Sequence, residues 1–321
     1  MTVRILADGS SAVPRLATIG VVTSLIHSSN RTIGSLGEVG PISYGQWRYT
    51  TDDLATARGL IETALDAGMN LIDTADVYGL DWGGTGFGEV EALLGRVLTD
   101  APHLRDRMVL ATKGGIRPPT PYDSSAEWLT TACHDSLRRL AVDTIDLYQI
   151  HRPDMYSHPA DVAATLTALR DAGKIREVGV SNHTAAQTAA LQAHLPFPLA
   201  TVQPEYSLLA LQPMFDGTFD HCAEVGLVPL AWSPLAGGRL ATGEGVEPDL
   251  LAALDRIAER ENVDRSHVAI AFVLAHPCAP IPIIGTQRPE RIVDTMRALD
   301  VTLDRSDVYA LVQASMGEPL P

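Results

Sequence analysis

Residues 53–73, DLATARGLIETALDAGMNLID, contain a helix pattern that is followed directly by a strand pattern. Five apolar residues recur at intervals of three or four, which places them on one face of a helix: Leu54, Ala57, Ile61, Ala64 and Leu65. Asp52 or Asp53 is suited to cap the start of this helix, and Gly68 is suited to end it. The apolar run Leu71–Asp73 then has the length of a short strand. This stretch therefore predicts a helix that leads into a buried strand.

The same alternation continues along the chain. Eight apolar runs are typical of strands: 42–47, 71–73, 108–113, 145–151, 175–180, 199–203, 227–231 and 282–284. Helical patterns lie between them, among them 88–98, 126–140, 162–172 and 289–299. Strands and helices that alternate at this spacing require parallel strands with right-handed crossovers. Eight such units in roughly 280 residues predict a single-domain α/β fold, the (β/α)8 TIM barrel.

A doubly wound open sheet is the alternative fold. That fold commonly carries a G-x-G-x-x-G motif directly after its first strand. The glycine-rich segment GGTGFG (83–88) has a different spacing and follows a loop, and the chain contains no P-loop. The barrel is therefore the favoured prediction.

Composition excludes several classes of function. The 321 residues are 45% hydrophobic and carry a formal net charge of −15 without a basic cluster, which argues against binding to nucleic acid or to an anionic membrane. No apolar run reaches about 18 residues, so no membrane-spanning helix is expected. Three cysteines far apart (Cys133, Cys222 and Cys278) indicate reduced thiols in a cytoplasmic protein. A small-molecule partner is expected, and the oligomeric state is not predicted.

Residues 1–30 do not match the barrel pattern. Their apolar stretch ATIGVVTSLI (17–26) contains threonines, a serine and a glycine, and no small-residue cleavage site follows it. We interpret 1–30 as an N-terminal extension, poorly ordered or loosely docked; the alternative is that part of it pairs as a strand. The barrel domain is predicted to span 31–321 and to begin with a short hairpin.

Polar residues end three adjacent predicted strands. Asp73 ends the second strand, Lys113 the third and His151 the fourth, and Tyr78 lies in the loop after the second. Alone, each has an ordinary structural explanation: a helix cap, an ion pair, a satisfied histidine, a packed aromatic ring. The reactive groups of TIM barrels lie at the carboxyl ends of the strands. Together, the four residues therefore predict a catalytic site.

These four side chains suit the reduction of a carbonyl group. An Asp73–Lys113 ion pair would fix the ammonium, which would lower the pKa of the Tyr78 phenol from about 10 toward neutrality. Tyr78 would donate a proton to the developing alkoxide. His151 would hydrogen-bond to the same oxygen and orient it.

A hydride source is expected on the other side of the carbonyl. Amide and hydroxyl groups at later strand ends are able to pair with a nicotinamide carboxamide: Ser181, Asn182 and Gln203. Trp232 offers a flat ring for stacking. Gly285-Thr286-Gln287 precedes a helix that carries Arg288 and Arg291, which is a suitable phosphate site. The pattern predicts a nicotinamide dinucleotide across the barrel mouth.

Eight segments, in this order, resemble those of the aldo-keto reductase family: RTIGSLGEVGPISYGQW (31–47), NLIDTADVYG (70–79), VLATKGG (109–115), DLYQIHRPD (146–154), GKIREVGVSNHT (173–184), VQPEYSLL (202–209), AWSPLAGGRL (231–240) and PIIGTQRPERI (282–292). The resemblance covers about 31–321. The HRPD segment and the MGEPLP ending look most like a bacterial subgroup of predicted NADP-dependent oxidoreductases.

The resemblance implies a role for individual residues. Tyr78 would be the general acid, Asp73 and Lys113 its tuning pair, and His151 the residue that orients the substrate. The residues implied to contact the cofactor are Gly45, Gln46, Trp47, Ser181, Asn182, Gln203, Trp232, Ser233, Leu235, Gly237, Arg239, Gly285, Thr286, Gln287, Arg291 and Asp294. The implied activity is reversible reduction of an aldehyde or ketone to an alcohol, with NADPH as cofactor and no metal.

The sequence departs from the family pattern in two places. Gly285-Thr286 and Asp294-Thr295 stand where many relatives have lysine-serine and glutamate-asparagine pairs, so one cation is missing from the 2′-phosphate site. Arg288 and Arg291 are expected to replace it, and use of NADH remains an alternative. The loop 80–87 looks lengthened. The substrate pocket is expected to include Trp47, Trp82 and Tyr122.

Three other functions are compatible with parts of this pattern. A cofactor-sensing regulatory subunit, as in potassium-channel β subunits, would have the same fold and little turnover. A Schiff-base aldolase would use Lys113, although the neighbouring Asp73 favours the charged amine over the neutral nucleophile. A metal-dependent hydrolase lacks support because the first strand has no HxH motif.

Overall fold

The computed structural model describes residues 24–49, 51–80, 84 and 86–320. Most of the predicted N-terminal extension, residues 1–23, lies outside the described residues, as does Trp82. Within the extension, the Leu25 amide donates to the Leu303 carbonyl at 2.9 Å, and the His27 amide donates to that of Leu274 at 3.0 Å. Residues 25–27 are thus attached to the C-terminal part of the chain.

Eight parallel strands form a closed barrel, as predicted: β3 (Ser43–Gly45), β4 (Leu71–Asp73), β5 (Val109–Gly114), β6 (Ile145–Ile150), β7 (Ile175–Ser181), β8 (Thr201–Gln203), β9 (Val228–Trp232) and β10 (Ile281–Ile284). Closure occurs where β10 pairs with β3, with Ile283 opposite Ser43. Before the barrel, β1 (Arg31–Thr32) and β2 (Glu38–Val39) form the predicted antiparallel hairpin. The strand expected at 42–47 is shorter than predicted, because its pairing ends at Gly45.

Helices connect the strands and follow the last one: α1 (Leu54–Asp66), α2 (Glu89–Asp100), α3 (Ala126–Leu140), α4 (Pro159–Asp171), α5 (Ala185–Gln192), α6 (Thr218–Val225), α7 (Arg239–Thr242), α8 (Pro248–Glu261), α9 (Arg265–Leu274), α10 (Pro289–Thr295) and α11 (Arg305–Met316). Asp53 caps α1, since its carboxylate accepts the Thr56 amide at 2.8 Å. None of the helices in the described ranges combines the length and apolar character that a membrane crossing requires.

The barrel interior is apolar at its lower end. Alternate strand residues, which share one face of the sheet, pack into one buried cluster: Leu71, Val109, Ala111, Leu147, Leu230 and Ile283. Ile33 and Val39 of the hairpin region are fully buried in the same cluster and close this end. Residues two positions further along the strands therefore face inward at the opposite, carboxyl end.

Close packing of α2 on α3 leads to a test of the fold. A β-carbon added at Gly95 of α2 would lie 2.0 Å from the Arg139 carbonyl oxygen of α3, so the helices would have to separate. We expect Gly95→Ala to lower the free energy of unfolding by about 1–3 kcal/mol. At Gly59 of α1, an added β-carbon meets nothing within 4 Å. Gly59→Ala is the matched control, and we expect it to raise the free energy of unfolding by up to about 1 kcal/mol.

Urea unfolding of both variants measures these changes. Opposite shifts of the two midpoints are expected. A Gly95→Ala variant as stable as the unmodified protein would contradict the close approach of the two helices.

Candidate active site

The inward-facing layer at the carboxyl end of the strands is polar. Asp73 follows Leu71 by two residues, and Lys113 follows Ala111 by two residues. Because side chains on one face of a strand repeat every two residues, both point into the barrel above the apolar layers. Asp73 and Lys113 are almost completely buried, so their charges have to be satisfied by protein groups.

Lys113 uses all three of its N–H donors. Nζ lies 2.6 Å from Asp73 Oδ2, 2.9 Å from the Thr74 carbonyl oxygen and 3.0 Å from Tyr78 Oη. Burial lowers the pKa of Lys113, but the carboxylate of Asp73 and the Tyr78 oxygen outweigh it, and the net shift is upward. The amine is therefore a fixed ammonium, which argues against a Schiff-base role.

Asp73 is held from its other side by two amides. Asp73 Oδ1 accepts from Gln203 Nε2 at 3.0 Å and from Gln149 Nε2 at 3.4 Å. Gln149 in turn accepts from the Thr201 hydroxyl at 3.3 Å. The sequence analysis missed Gln149, although its position on β6, two residues before His151, was an available signal.

His151 lies against Tyr78 at the end of β6. The ring centroids are 5.9 Å apart and the ring planes meet at 78°. Burial lowers the pKa of His151 well below 6.5, and the positive charges of Lys113 and Arg152 lower it further. The imidazole is therefore neutral near pH 7, with one N–H to donate. Among the described residues, its Nδ1 has no hydrogen-bond partner.

The sequence analysis predicted that the pKa of Tyr78 is lowered, and this direction is wrong. Burial raises the pKa of this phenol above its ordinary value of 10, and the nearby Lys113 ammonium only partly opposes that effect. Tyr78 therefore carries its proton at neutral pH. The phenolate left after proton donation would still face the ammonium at 3.0 Å.

A groove of about 1290 Å³ runs from these residues across the barrel mouth. It is larger than the roughly 300–1000 Å³ of most small-molecule sites. The predicted site residues that line it are Gly45, Trp47, Asp73, Tyr78, His151, Asn182, Gln203, Trp232, Ser233, Leu235, Gly237, Gly285, Thr286, Arg291 and Asp294. One continuous site thus joins the predicted catalytic end to the predicted phosphate end.

Other predicted residues do not line the groove in the described part of the chain: Gln46, Lys113, Ser181, Arg239, Gln287 and Tyr122. Lys113 lies behind Tyr78. Ser181 is 1% exposed, and its hydroxyl donates to the Gln203 carbonyl at 3.0 Å while accepting from Asn182 Nδ2 at 2.8 Å. Ser181 therefore holds the Asn182 side chain in place and does not itself line the groove. The Arg239 side chain donates to the carbonyls of Glu244 and Gly245.

Asn182 has an unusual backbone conformation, with φ at 58°. Asparagine tolerates this left-handed region better than most residues. Its Nδ2 donates to the His151 carbonyl at 3.2 Å, and its Oδ1 accepts from Trp232 Nε1 at 3.0 Å. The amide thus connects the ends of β6 and β9 and fixes the indole ring at the groove.

Several residues of the groove were missed from the sequence. Arg48 follows β3, Arg152 follows His151, and Asp255, Glu259 and Arg265 contribute from α8 and α9. Arg48 donates to the Gly237 carbonyl at 3.1 Å. Residues on α8 and α9 follow the strand end by more than twenty positions, so inspection of strand ends does not identify them.

Asp264, His267 and Asp294 come together at the far end, with potential ligand atoms within 4.8 Å of one another. Both nitrogens of His267 are already engaged. Nδ1 accepts the Asp264 amide at 3.0 Å, and Nε2 lies 2.9 Å from the Asp294 carbonyl oxygen. The cluster therefore acts as a hydrogen-bonded link between α9 and α10 and leaves no imidazole nitrogen for a metal.

Comparison with known proteins reveals close relatives. The chain is 49% identical over 295 residues to a 6-dehydroglucose reductase of Novosphingobium aromaticivorans, which covers 91% of this chain and 97% of the relative. It is 37% identical over 293 residues to a protein of the same name from Agrobacterium fabrum, and this match covers 88% of this chain and 96% of the relative. It is 36% identical over 287 residues to Oxidoreductase YdhF of Escherichia coli, and this match covers 86% of this chain and 94% of the relative.

Solved structures share the barrel. A glycerol dehydrogenase from Gluconobacter oxydans has a TM-score of 0.79 and 26% identity, covering 92% of this chain and 98% of its own. A thermostable aldo-keto reductase has a TM-score of 0.76 and 23% identity, and the match covers 89% of this chain and 99% of that one. At this identity the similarity supports the fold alone. The family model described as "Aldo/keto reductase family" matches residues 41–315. The chain therefore belongs to the aldo/keto reductase family.

Proposed function

We propose that this oxidoreductase reduces an aldehyde to a primary alcohol with NADPH, and that Tyr78 is its general acid. The observation that carries the proposal is the convergence of Tyr78, His151 and the buried Asp73–Lys113 pair at one end of a long groove. The relatives bear enzyme names, and none of those names favours the regulatory alternative.

Three side chains of the site have separate roles in the proposed reaction at the carbonyl oxygen. His151, neutral near pH 7, donates its N–H to that oxygen and holds it beside Tyr78. Tyr78 transfers its proton to the oxygen as negative charge develops there. The phenolate produced is stabilised by the Lys113 ammonium, which the Asp73 carboxylate keeps in place. In the oxidative direction the same phenolate takes the proton back.

The groove fits a nicotinamide dinucleotide. Asn182 and Gln203 present amide groups, and Trp232 presents a ring, at the catalytic end; Arg291 presents a guanidinium at the far end. When bound, the cofactor supplies the hydride to the carbonyl carbon. Three free cysteines support a location in the cytoplasm.

NADPH is proposed over NADH because Arg291 is exposed and its side chain makes no hydrogen bond or ion pair with a described residue. It is thus available to a 2′-phosphate. The other groove arginine at this end, Arg265, is bound to Asp255 through two hydrogen bonds. Arg291 therefore replaces the cation that the glycine at 285 does not provide.

The relatives' names support a sugar aldehyde as substrate. Two of them, at 49% and 37% identity, are called 6-dehydroglucose reductases. We therefore place the substrate of this chain among aldehydes that carry hydroxyl groups.

The proton-donor role is tested by Tyr78→Phe. Removing the phenol oxygen is expected to lower kcat for aldehyde reduction by about 100-fold or more, because general acid catalysis contributes a factor of this size. Affinity for NADPH, measured by quenching of its fluorescence, is expected to stay within about twofold. Tyr156→Phe is the matched control, since Tyr156 is 97% exposed. Unchanged turnover in Tyr78→Phe would remove Tyr78 from the mechanism.

The pKa directions predict a broad pH profile. The general acid must be protonated, so the rate falls as pH rises through the pKa of Tyr78, which lies above 10. His151 must be neutral, so the rate falls as pH drops through its pKa, which lies below 6.5. We expect kcat/KM for an aldehyde at saturating NADPH to be flat between these limits. A decline that begins between about pH 7 and 8 would instead indicate a phenol tuned toward neutrality.

Cofactor choice is tested at the far end of the groove. Arg291→Ala is expected to weaken NADPH binding by about 10-fold or more, because hydrogen bonds to charged groups contribute about 1.5–3 kcal/mol. NADH binding is expected to change little. Arg288 was expected to share this role, but it is exposed and does not line the groove, so Arg288→Ala is expected to weaken NADPH binding less than Arg291→Ala does. Equal losses for NADPH and NADH would contradict the assignment.

A further inference from the structure

A buried carboxylate lies on the outer side of β5, directly behind the candidate active site. Lys113 points into the barrel, so the side chain of the preceding residue, Thr112, points the opposite way, toward the helices. The Thr112 hydroxyl donates there to Glu91 Oε1 of α2 at 2.6 Å, and Glu91 is 0% exposed. The proposed proton transfer does not use Glu91, so the burial of this acid has to have another reason.

Arg139 of α3 holds the second oxygen of Glu91. Its Nε and Nη2 lie 2.8 and 2.6 Å from Glu91 Oε2. Burial raises the pKa of Glu91, while the charge of Arg139 and the Thr112 hydroxyl lower it. Both oxygens of Glu91 accept hydrogen bonds, which is the arrangement of an ionised carboxylate. Glu91 therefore ties α2 to β5 and to α3 through charge-assisted hydrogen bonds.

The same end of α2 also holds Tyr78. The amide of Val90, one residue before Glu91, donates to the Tyr78 carbonyl at 3.4 Å. On the inner side of β5, Tyr78 Oη lies 3.0 Å from Lys113 Nζ. The helix end that contacts Tyr78 is thus fastened to Thr112, the strand residue next to Lys113.

The segment before Tyr78 provides only a backbone anchor. The Asp76 amide donates to the Lys113 carbonyl at 3.1 Å, two residues before Tyr78. Asp76 is fully buried, yet neither of its side-chain oxygens has a hydrogen-bond partner among the described residues. The side-chain anchor nearest to Tyr78 on the outer side of β5 is therefore that of Glu91.

We propose that Glu91 is a positioning residue, which holds the amino end of α2 on β5 so that the Tyr78 phenol stays within hydrogen-bond distance of the Lys113 ammonium. This inference rests on the proposed role of Tyr78 as general acid and adds the residue that sets its position. The ammonium stabilises the phenolate that forms during proton transfer. Loss of Glu91 is therefore expected to lower kcat and to leave cofactor binding unchanged.

Glu91→Gln tests this role with little change in side-chain size. The amide presents an N–H group where the carboxylate presents an oxygen, so at least one of the two contacts is lost. We expect kcat for aldehyde reduction to fall by about 10-fold, because small displacements of catalytic groups cost up to about 100-fold in rate. Affinity for NADPH, measured by quenching of its fluorescence, is expected to stay within about twofold.

A double-mutant cycle with Tyr78→Phe separates positioning from a general loss of structure. In the Tyr78→Phe background no phenol remains to be positioned. Glu91→Gln is expected to lower the residual turnover there by less than about twofold. The same fall in both backgrounds would show that Glu91 supports the fold only, and an unchanged kcat in Glu91→Gln alone would also overturn the inference.

Asp146→Asn is the matched control at the opposite end of the same strands. Asp146 of β6 is 3% exposed, accepts the Leu110 amide of β5 at 2.8 Å, and is ion-paired with two arginines at 2.8 and 3.1 Å. Like Glu91, it is a buried carboxylate held against β5, but it lies at the amino end of the strands. Asp146→Asn is expected to lower the urea midpoint without changing kcat. A loss of kcat equal to that of Glu91→Gln would contradict a specific role for Glu91.

Thr112→Val and Thr112→Ser provide a second test, which spares the ion pair between Glu91 and Arg139. Valine has the shape of threonine without the hydroxyl, whereas serine keeps the hydroxyl. We expect Thr112→Val to lower kcat by about threefold or more and Thr112→Ser to retain at least about half of it. Equal kcat values in the two variants would overturn the contact's role, even if Glu91→Gln failed to fold.

Failure of this inference is distinguishable from failure of the proposed function. Full turnover of Tyr78→Phe would overturn the general-acid role and, with it, the positioning role of Glu91. A large loss in Tyr78→Phe together with full turnover of Glu91→Gln would overturn the positioning role alone.

Discussion

The buried ion pair between Asp73 and Lys113 is the interaction on which the site depends. An ammonium that is 0% exposed is tolerated only because its three donors are satisfied at 2.6, 2.9 and 3.0 Å. Removing one partner of such a pair costs about 3–5 kcal/mol, because the other charge is left buried alone. Gln149 and Gln203 hold the far oxygen of Asp73. The pair thus joins β4, β5, β6 and β8 at the catalytic end of the barrel.

Burial around this pair decides the protonation of its neighbours. It keeps the proton on Tyr78 and keeps His151 neutral, since each ionised form would lose solvation. A protonated phenol and a neutral imidazole are the forms that donate hydrogen bonds to a carbonyl oxygen. In the proposed reaction, the ammonium of Lys113 would act mainly on the phenolate that proton transfer produces, and less on the resting phenol.

Two arginines whose side chains make no hydrogen bond or ion pair with a described residue line the groove. Arg291 lies at one end and Arg152 at the other, in a protein whose net charge is −15. Between them, Asn182 ties His151 to Trp232 through hydrogen bonds of 3.2 and 3.0 Å. The ends of β6 and β9 are therefore joined by hydrogen bonds across the barrel mouth.

The sequence by itself determined the barrel and brought four candidate catalytic side chains to one end of it, because strand periodicity and the order of strands place Asp73, Lys113 and His151 at one rim. The tertiary structure alone decided how those residues are tuned. Gln149 and Gln203 meet Asp73 across 76 and 130 residues of chain, and no local pattern encodes such contacts. The pKa of Tyr78 rises because desolvation depends on everything packed around the ring, whereas the motif shows only the neighbouring ammonium.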